Sequence, residues 1–334
     1  MGQPMNAKML PTPSLVLEWE TVEEGGIERA IRGLRAINEQ ITELRHEFSS
    51  TPEVIVCFER HVTTEDELRS IFDRAAGPDG WTANLHTIPV PDGTHYYEKK
   101  NIGARSSVNE VIVFIDTDLV ADPGWLRNLL TAFNSWTVSV MLGATHLDHV
   151  SLYEMAMALC WIFPPATHGR GIQPLRRYSS NNLAFRRALF LRFPFPTLPT
   201  YRGQCGELGQ TLLNVGITVQ EHTDARATHP PPPGVFGFIH RAWAAGKDAE
   251  FYKGLEEDTS LRTLADTVRY DYGVVARRMR ERREILRPGL AALTLGWLLG
   301  WAYYGIKAAG YLSGLLRRSA SEAGSPSAAG AKVT

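Results

Sequence analysis

The pattern of apolar and polar positions predicts a chain in which strands alternate with helices. Apolar residues recur every three or four positions for about twenty residues from Ile27, and a capping-box-like start at Thr63 opens a second helix. Short apolar runs bounded by polar residues predict strands at 15–20, 54–58, 84–88 and 111–115. Strands joined by helices predict an α/β fold with a right-handed, mostly parallel sheet.

The run at 111–115 ends in two carboxylates, Asp116 and Asp118. An unbroken β-branched run predicts a strand buried on both faces, and the carboxyl ends of such strands are where open α/β sheets bind ligands. Two carboxylates one residue apart can hold Mg²⁺ or Mn²⁺ against a nucleotide diphosphate. The alternative is a polar strand end that caps the next helix. The residues that follow favour a single unit of strand, carboxylate pair, turn and helix, because Asp122 is a natural N-cap and Pro123 a natural first residue.

The stretch from Tyr96 to Arg105 predicts a loop that enters a short helix. Its residues Lys99, Lys100 and Asn101 would place cationic and amide donors near the same edge of the sheet. The alternative is a solvated basic face.

Composition narrows the classes of function. The net charge of −1 and the isoelectric point near 6.8 argue against a nucleic-acid-binding surface spread over the protein. Residues 1–13 lack a long apolar core, so they predict a disordered head and no secretory signal. Cysteines without metal-type spacing suit a reducing compartment, and they are Cys57, Cys160 and Cys205.

Several short motifs, in this order, resemble the GT-A-fold glycosyltransferases of family 2. They are Phe58-Glu59, Lys100-Asn101-Ile102-Gly103, Asp116-Thr117-Asp118 and Asn181-Asn182-Leu183-Ala184-Phe185-Arg186-Arg187. The resemblance implies a Rossmann-like sheet and a metal held by Asp116 and Asp118. It also implies contacts to the nucleotide sugar from Glu18, Glu59, Lys100, Asn101, Asp116, Asn182 and Arg187. Glu59 stands where the family usually has Asp, which leaves the choice of nucleotide open.

The family also has a Glu-Asp pair at the start of a later helix, and its Asp is the general base of inverting members. In this chain the helical pattern of Leu208, Leu212 and Gly216 fits, but the acidic pair would fall on Gln204 and Cys205. Glu207 is the carboxylate within reach, in the first turn, where the helix dipole favours its ionised form. We therefore predict Glu207 as the base; the alternatives are a base from elsewhere or an acceptor, such as a phosphate, that needs none.

Two further residues complete the predicted site. After a strand predicted at 217–221, His229 occupies the place where family 2 sequences often have a histidine near the metal or diphosphate, and imidazole is an ordinary Mn²⁺ ligand. A structural histidine before the proline run is the alternative. Arg241, in a helix predicted from Phe236, could meet phosphate or lie on the surface. The apolar stretch 151–177 is compatible with buried core or with an acceptor-side lid.

The C-terminal third predicts membrane attachment. A basic helix is predicted over 259–287, and residues 288–306 carry no charge for nineteen positions, nearly the length that a bilayer core requires. Trp297, Trp301 and Tyr304 lie inside this stretch, which also suits a helix lying in the interface. A buried core helix is the third option. The arginines would face the cytoplasm and anionic lipid.

The prediction is thus a membrane-attached glycosyltransferase on the cytoplasmic face, dependent on Mn²⁺ or Mg²⁺. It would move a sugar from a UDP- or GDP-sugar to a glycan or lipid-linked acceptor, with inversion. A nucleotidyltransferase would need a Gly-rich basic loop after the first strand, and a non-catalytic nucleotide-sugar-binding or scaffold protein remains the alternative. The predicted segments are a glycosyltransferase domain over 14–255 (nucleotide half 14–120, acceptor half 121–255), a basic linker over 256–287, a membrane-associated segment over 288–316 and a tail over 319–334.

Overall fold

The computed structural model of the protein describes residues 9–166, 169–175, 178–255 and 261–324. The chain divides into two compact units, which are described separately. Unit 1 contains the residues up to Asp148, Phe163–Leu198 and Gln204–Pro231. Unit 2 contains His149–Ile162, Pro199–Gly203 and the chain from Pro232 onward. Most of the predicted head and part of the predicted tail lie outside the described residues.

Within the described residues, nine strands form one sheet in unit 1. They are β1 Pro13–Glu18, β2 Glu53–Glu59, β3 Asn84–Val90, β4 Val111–Ile115, β5 Val120–Ala121, β6 Val140–Leu147, β7 Ile172–Pro174, β8 Asn182–Arg186 and β9 Gln220–His229. The order is β3-β2-β1-β4-β8-β6-β9-β5, with β7 beside β9. Neighbours from β3 to β4 are parallel, β8 runs antiparallel between β4 and β6, and β6 and β9 are parallel.

Helices cover both faces of the sheet. Those of unit 1 are α1 Val22–Gly25, α2 Ile27–Leu44, α3 Glu65–Ala76, α4 Tyr96–Ser106, α5 Trp125–Thr131, α7 Arg187–Arg192 and α8 Gln204–Asn214. Successive residues of β1 point to opposite faces: Leu15 and Leu17 pack in the cluster that contains α2, and Val16 packs in the cluster that contains α4 and α8. The predicted α/β class, a mostly parallel sheet flanked by helices, is confirmed.

Three local predictions are corrected by the structure. The N-cap of α5 is Gly124, in the left-handed conformation (φ 81°), and Asp122 instead pairs with Arg226 at 3.1 Å between Oδ2 and Nε. The strand predicted at 217–221 is β9, which begins at Gln220 and includes His229 as its last residue. The predicted loop before α4 is helical from Tyr96 onward, because His95 caps the first turn. Strand β6 has no counterpart in the prediction.

Unit 2 is helical. Its helices are α6 Leu152–Cys160, α9 Gly234–Leu255, α10 Leu261–Leu286 and α11 Leu290–Gly324. Helix α11 packs against the other three. Glycines bring α9 and α11 together: a Cβ on Gly246 would lie 2.0 Å from the Lys307 carbonyl oxygen, and one on Gly310 would lie 2.4 Å from that of Trp243. In the parts of the chain that the structure describes, no helix combines the length and apolarity required to cross a membrane.

Candidate metal and diphosphate site

The two carboxylates of the central motif lie at the carboxyl end of β4, beside the antiparallel strand β8. The Asp116 backbone N–H donates to the Asn181 carbonyl oxygen at 3.1 Å, which joins the motif to the residue that precedes β8. Asp118 is fully buried, and Asp116 is 6% exposed. Burying two carboxylates is costly unless other groups compensate their charge. The side chains around Asp116 and Asp118 therefore show whether each carboxylate is already compensated or could bind a cation.

Lys100 and Tyr96 of α4 hold Asp116. The Lys100 ammonium lies 2.5 Å from Asp116 Oδ1 and donates to the Ser180 carbonyl oxygen at 2.9 Å. The Tyr96 hydroxyl donates to the same Oδ1 at 2.6 Å, and its ring lies 4.6 Å from the ammonium. Lys100 is completely buried, so the alternative of a solvated basic face is wrong at this position. Tyr96 was not predicted as a site residue, since nothing in its local pattern separates it from a core aromatic residue.

Asp118 faces His229 at the end of β9. The distance from Asp118 Oδ2 to His229 Nε2 is 3.5 Å, and the other ring nitrogen, Nδ1, makes a short hydrogen bond with the Pro230 carbonyl oxygen. A carbonyl oxygen only accepts, so Nδ1 carries the proton, and in the neutral ring Nε2 is the bare nitrogen. Metal-binding histidines commonly donate their second N–H in this way. The Asp118 carboxylate, in the turn after β4, and the bare imidazole nitrogen at the end of β9 fit a divalent cation.

The backbone around Asp118 is fixed from α1 and α2. Arg29 donates from Nε to the Asp118 carbonyl oxygen at 2.5 Å and pairs with Asp148. A Cβ on Gly25 would lie 2.7 Å from the Asp118 Cβ, so no larger residue fits there without movement. The contacts of Gly25 and Arg29 with Asp118 could not be predicted, because both residues lie in a helical stretch far from the motif along the chain.

Glu18, predicted to contact the nucleotide, is instead enclosed behind the motif. Its carboxyl group accepts from the backbone N–H and hydroxyl of Thr21 at 3.1 and 2.9 Å. Burial, together with the nearby Asp116 carboxylate, raises the pKa of Glu18 well above its ordinary value, although Lys100 opposes the shift. The Thr117 hydroxyl donates to the Glu18 carbonyl oxygen at 2.8 Å. Glu18 therefore links β1 to the motif from its buried side.

Glu59 ends β2 at the same edge and pairs with Lys99 at 2.5 Å. Burial alone would raise its pKa, but hydrogen bonds from Lys99 and the Gly93 N–H hold the pKa of Glu59 below its ordinary value. Lys99 also contacts Glu20 at 2.9 Å. Like Lys100, it is buried and paired rather than solvated.

A second group that could hold a cation consists of Glu59, His61 and Asp92. The hydrogen bond between His61 Nδ1 and Asp92, 2.9 Å long, raises the pKa of His61. Glu59 is already compensated by Lys99. The described residues thus offer two candidate cation sites, this group and the buried pair of Asp118 and His229.

Three predicted contact residues have side chains that serve the fold. Asn101 exchanges hydrogen bonds with the backbone of Phe195, and Asn182 accepts from the Trp125 indole at 2.8 Å while its amide faces backbone carbonyls. Arg187 lies at the opposite end of β8, where its N–H donates to the Glu110 carbonyl oxygen at 2.8 Å. Because β8 is antiparallel to β4, only its first residues reach the carboxylate edge.

The two remaining predicted residues, Glu207 and Arg241, belong to later helices. Glu207 is exposed in the first turn of α8, where Gln204 is buried. Arg241 belongs to α9 of unit 2, where burial lowers its pKa to about 10. Their predicted roles as base and phosphate contact stay predictions.

Asn181 adds an unpredicted donor beside the carboxylates. Its side chain is 5% exposed, and its amide nitrogen has no hydrogen-bond partner among the described residues. A buried amide without a partner costs about 1–3 kcal/mol, which an oxygen-rich ligand could recover.

No family model and no curated protein matches the chain. Among solved structures, one described as the crystal structure of a mycobacterial protein is similar at 18% identity and a TM-score of 0.44, over 71% of this chain and 73% of its own. The mannosyltransferase PcManGT from Pyrobaculum calidifontis, solved with GDP-Man and Mn²⁺, is similar at 14% identity and a TM-score of 0.49, over 96% and 84%. Similarity at this level concerns the fold alone.

Proposed function

We propose that the protein is a metal-dependent glycosyltransferase that moves a sugar from a nucleotide-diphosphate sugar to an acceptor hydroxyl. The observation that carries the proposal is the pairing of Asp118 with the bare Nε2 of His229 beside Asp116, at the carboxyl end of the central strand. Imidazole suits Mn²⁺, whereas Mg²⁺ favours oxygen ligands and water, so we propose Mn²⁺ as the preferred ion.

Each side chain of the cluster has a distinct part. Asp116, Asp118 and His229 would hold the ion, which when bound offsets negative charge on the leaving diphosphate. Lys100 and Tyr96 fix Asp116 before any ligand arrives, so its position costs little to organise during binding. The free amide of Asn181 would donate to the diphosphate or to a sugar hydroxyl.

The transfer itself would proceed with inversion. The acceptor oxygen bonds to the anomeric carbon, the bond from that carbon to the diphosphate oxygen breaks, and the acceptor proton passes to a base. We propose Glu207 as the base, because it is an exposed carboxylate at the start of α8. Glu207→Gln should then lower kcat by about 10²–10⁴-fold with donor binding unchanged. Unchanged turnover would remove Glu207 from the mechanism.

We retain Glu59 as a contact to the nucleoside, because it ends β2 at the same edge of the sheet. The acceptor would be a glycan or lipid-linked molecule at the cytoplasmic face of a membrane. The non-catalytic binding protein is the rival proposal, supported by the absence of carboxylates at Gln204 and Cys205. Nucleotide binding without release of nucleotide diphosphate from any donor would favour it.

The metal role is tested by thermal melting with UDP, GDP, UDP-glucose and GDP-mannose, each with and without Mn²⁺. A ligand at one hundred times its Kd adds about 2.7 kcal/mol to stability. We expect a shift that requires Mn²⁺ in the wild-type protein and in Asp92→Asn, and no shift in Asp118→Asn or His229→Gln. Asp92→Asn is the matched control because it disrupts the competing group of Glu59, His61 and Asp92. A shift lost only in Asp92→Asn would refute the assignment.

A further inference from the structure

From Leu290 to Leu316 the outward face of α11 carries no charge. Between Leu290 and Leu316 the exposed residues all fall on one stripe about 120° wide, at the spacing of a helix. They are Leu290, Ala291, Thr294, Leu298, Trp301, Ala302, Gly305, Ala309, Leu312 and Leu316. The stripe is roughly 40 Å long at 1.5 Å per residue. A water-exposed helix of a soluble domain normally carries charged residues on that face.

The one charged residue in this stretch is turned inward. Lys307 pairs with Asp271 of α10 at 2.7 Å, and both side chains are largely buried. The inward side of α11 is otherwise specialised for packing: Gly296 and Gly300 contact α6 and α10 closely, and Tyr304 and Tyr311 are buried. The bundle therefore already uses one face of α11 fully, and the uncharged outward face contributes nothing to it.

The apolar surface continues onto α9. Trp243 lines a groove of about 450 Å³ together with Ala309, Leu312 and Leu316 of α11. One and two turns earlier on α9 lie Ile239 and Phe236, the latter 89% exposed. Residues four and seven positions apart share one face of a helix. Contiguous exposed apolar surface of this kind marks a binding surface.

Basic residues border the uncharged face at both ends. Arg287 precedes Leu290 by three positions, and Arg317, exposed, follows Leu316. Exposed arginines lie along the C-terminal half of α10, at Arg277, Arg280 and Arg283, and Arg287 follows the helix directly. Glu281 and Glu284 oppose them in part and leave the exposed surface of this segment positive.

Two arginines of the basic helix have a different role. Arg282 donates from Nη1 to the carbonyl oxygens of Ala158 and Trp161 at 3.0 and 2.7 Å, and Arg278 donates to that of Cys160 at 3.1 Å. They bind the C-terminal carbonyls of α6, and burial lowers the pKa of Arg282 to about 10. The sequence prediction that the whole arginine cluster faces lipid is thus corrected for these two residues.

We propose that the outward face of α11, together with Phe236, Ile239 and Trp243 of α9, lies in the headgroup region of an anionic lipid bilayer. The uncharged stripe matches the apolar side of an interfacial helix, and the bordering arginines match anionic headgroups in charge. The large side chains of the stripe, those of Leu290, Leu298, Trp301, Leu312 and Leu316, are of the types that an interfacial helix buries at the boundary of headgroups and acyl chains. The proposal does not depend on the proposed glycosyl transfer.

The full chain is tested by flotation with phosphatidylcholine vesicles and with vesicles that also contain phosphatidylglycerol. We expect binding to the anionic vesicles that weakens at high salt. The double variant Leu298→Gln, Trp301→Gln should bind these vesicles at least about tenfold more weakly than the wild type. Trp136→Gln, at a tryptophan 83% exposed in unit 1, is the matched control and should bind as the wild type does. Arg280→Gln with Arg283→Gln should reduce binding to the anionic vesicles at low salt.

All the substituted side chains are exposed, and circular dichroism checks that each variant folds. Wild-type protein that floats with neither vesicle would overturn the proposal. So would binding that is equal on both vesicles, or binding unchanged in the Leu298 and Trp301 variant. A stable dimer that ignores vesicles and dissociates in that variant would show that a second copy covers the face, and it would also overturn the proposal. Mn²⁺-dependent nucleotide binding should be the same in these variants, so the two proposals fail separately.

Discussion

Replacing Lys100 by Met should destabilise unit 1 strongly, because it leaves a buried carboxylate without its cation. Lys100 is completely buried, and its ammonium lies 2.5 Å from Asp116 Oδ1. Removing one partner of a buried pair costs about 3–5 kcal/mol. The Tyr96 hydroxyl still donates to Asp116, so we expect the lower half of that range. Each kcal/mol lowers Tm by about 2–4 °C in a domain of this size, which gives a decrease on the order of 10 °C.

The electrostatic cause is isolated by a double-mutant cycle. Asp116→Asn alone leaves the buried Lys100 ammonium without its carboxylate, whereas the double variant Lys100→Met, Asp116→Asn removes both charges. The loss of unfolding free energy in the double variant should be smaller than the sum of the losses in the single variants by about 2 kcal/mol or more. The free energies of unfolding of all variants are compared by scanning calorimetry under the same conditions. The exposed pair of Arg69 and Glu65, 2.8 Å apart, is the control and should show much weaker coupling, because solvent screens both charges. Additive effects in the buried pair would refute the argument.

Three further predictions follow from close contacts and burial. Gly25→Ala should displace Asp118 and weaken Mn²⁺-dependent nucleotide binding about tenfold or more, measured by calorimetric titration. In the control Gly206→Ala the added methyl group meets no atom within 4 Å, so the nucleotide Kd should not change. Mass spectrometry should show one iodoacetamide label on the native protein, at half-buried Cys205, and three labels on the denatured protein. Burial raises the pKa of the Cys57 and Cys160 thiols to about 12, which keeps them unreactive. A second rapid label on the native protein would contradict this burial. Arg282→Met should cost unit 2 about 1–3 kcal/mol, measured by urea unfolding, since it leaves two buried carbonyls without a donor, and an unchanged midpoint would exclude the cap.

The strands at the centre of the sheet could be predicted because burial on both faces makes them continuously apolar. Strands β1, β2 and β4 are buried at every position. The bounds of β9 could not be predicted, because the strand is polar along most of its length. It buries only alternate residues near its end, and these are Ala225, Ala227 and His229. Its pairing with β6 and β5 is non-local, and no local pattern encodes it.

The candidate site could likewise be predicted only where its residues adjoin strands with a clear apolar pattern. The Asp-x-Asp motif and Lys100 could be placed at one edge, since each follows or precedes a strand of clear pattern. The direction of β8 could not be predicted, and it is this direction that takes Arg187 to the far end of the sheet. Likewise, that Lys99 and Lys100 are buried cations depends on Glu59 and Asp116, carboxylates far away along the chain.

The central claim, that Asp118 and His229 form the metal site, is tested most directly by pulsed electron paramagnetic resonance of bound Mn²⁺. Inorganic pyrophosphate, which contains no nitrogen, stands in for the nucleotide, so any directly bound nitrogen comes from the protein. The account predicts one bound ion with a ¹⁴N coupling of a histidine ligand, lost in His229→Gln and kept in His61→Gln. A coupling that persists in His229→Gln and disappears in His61→Gln would contradict the account and move the metal to the group of Glu59, His61 and Asp92.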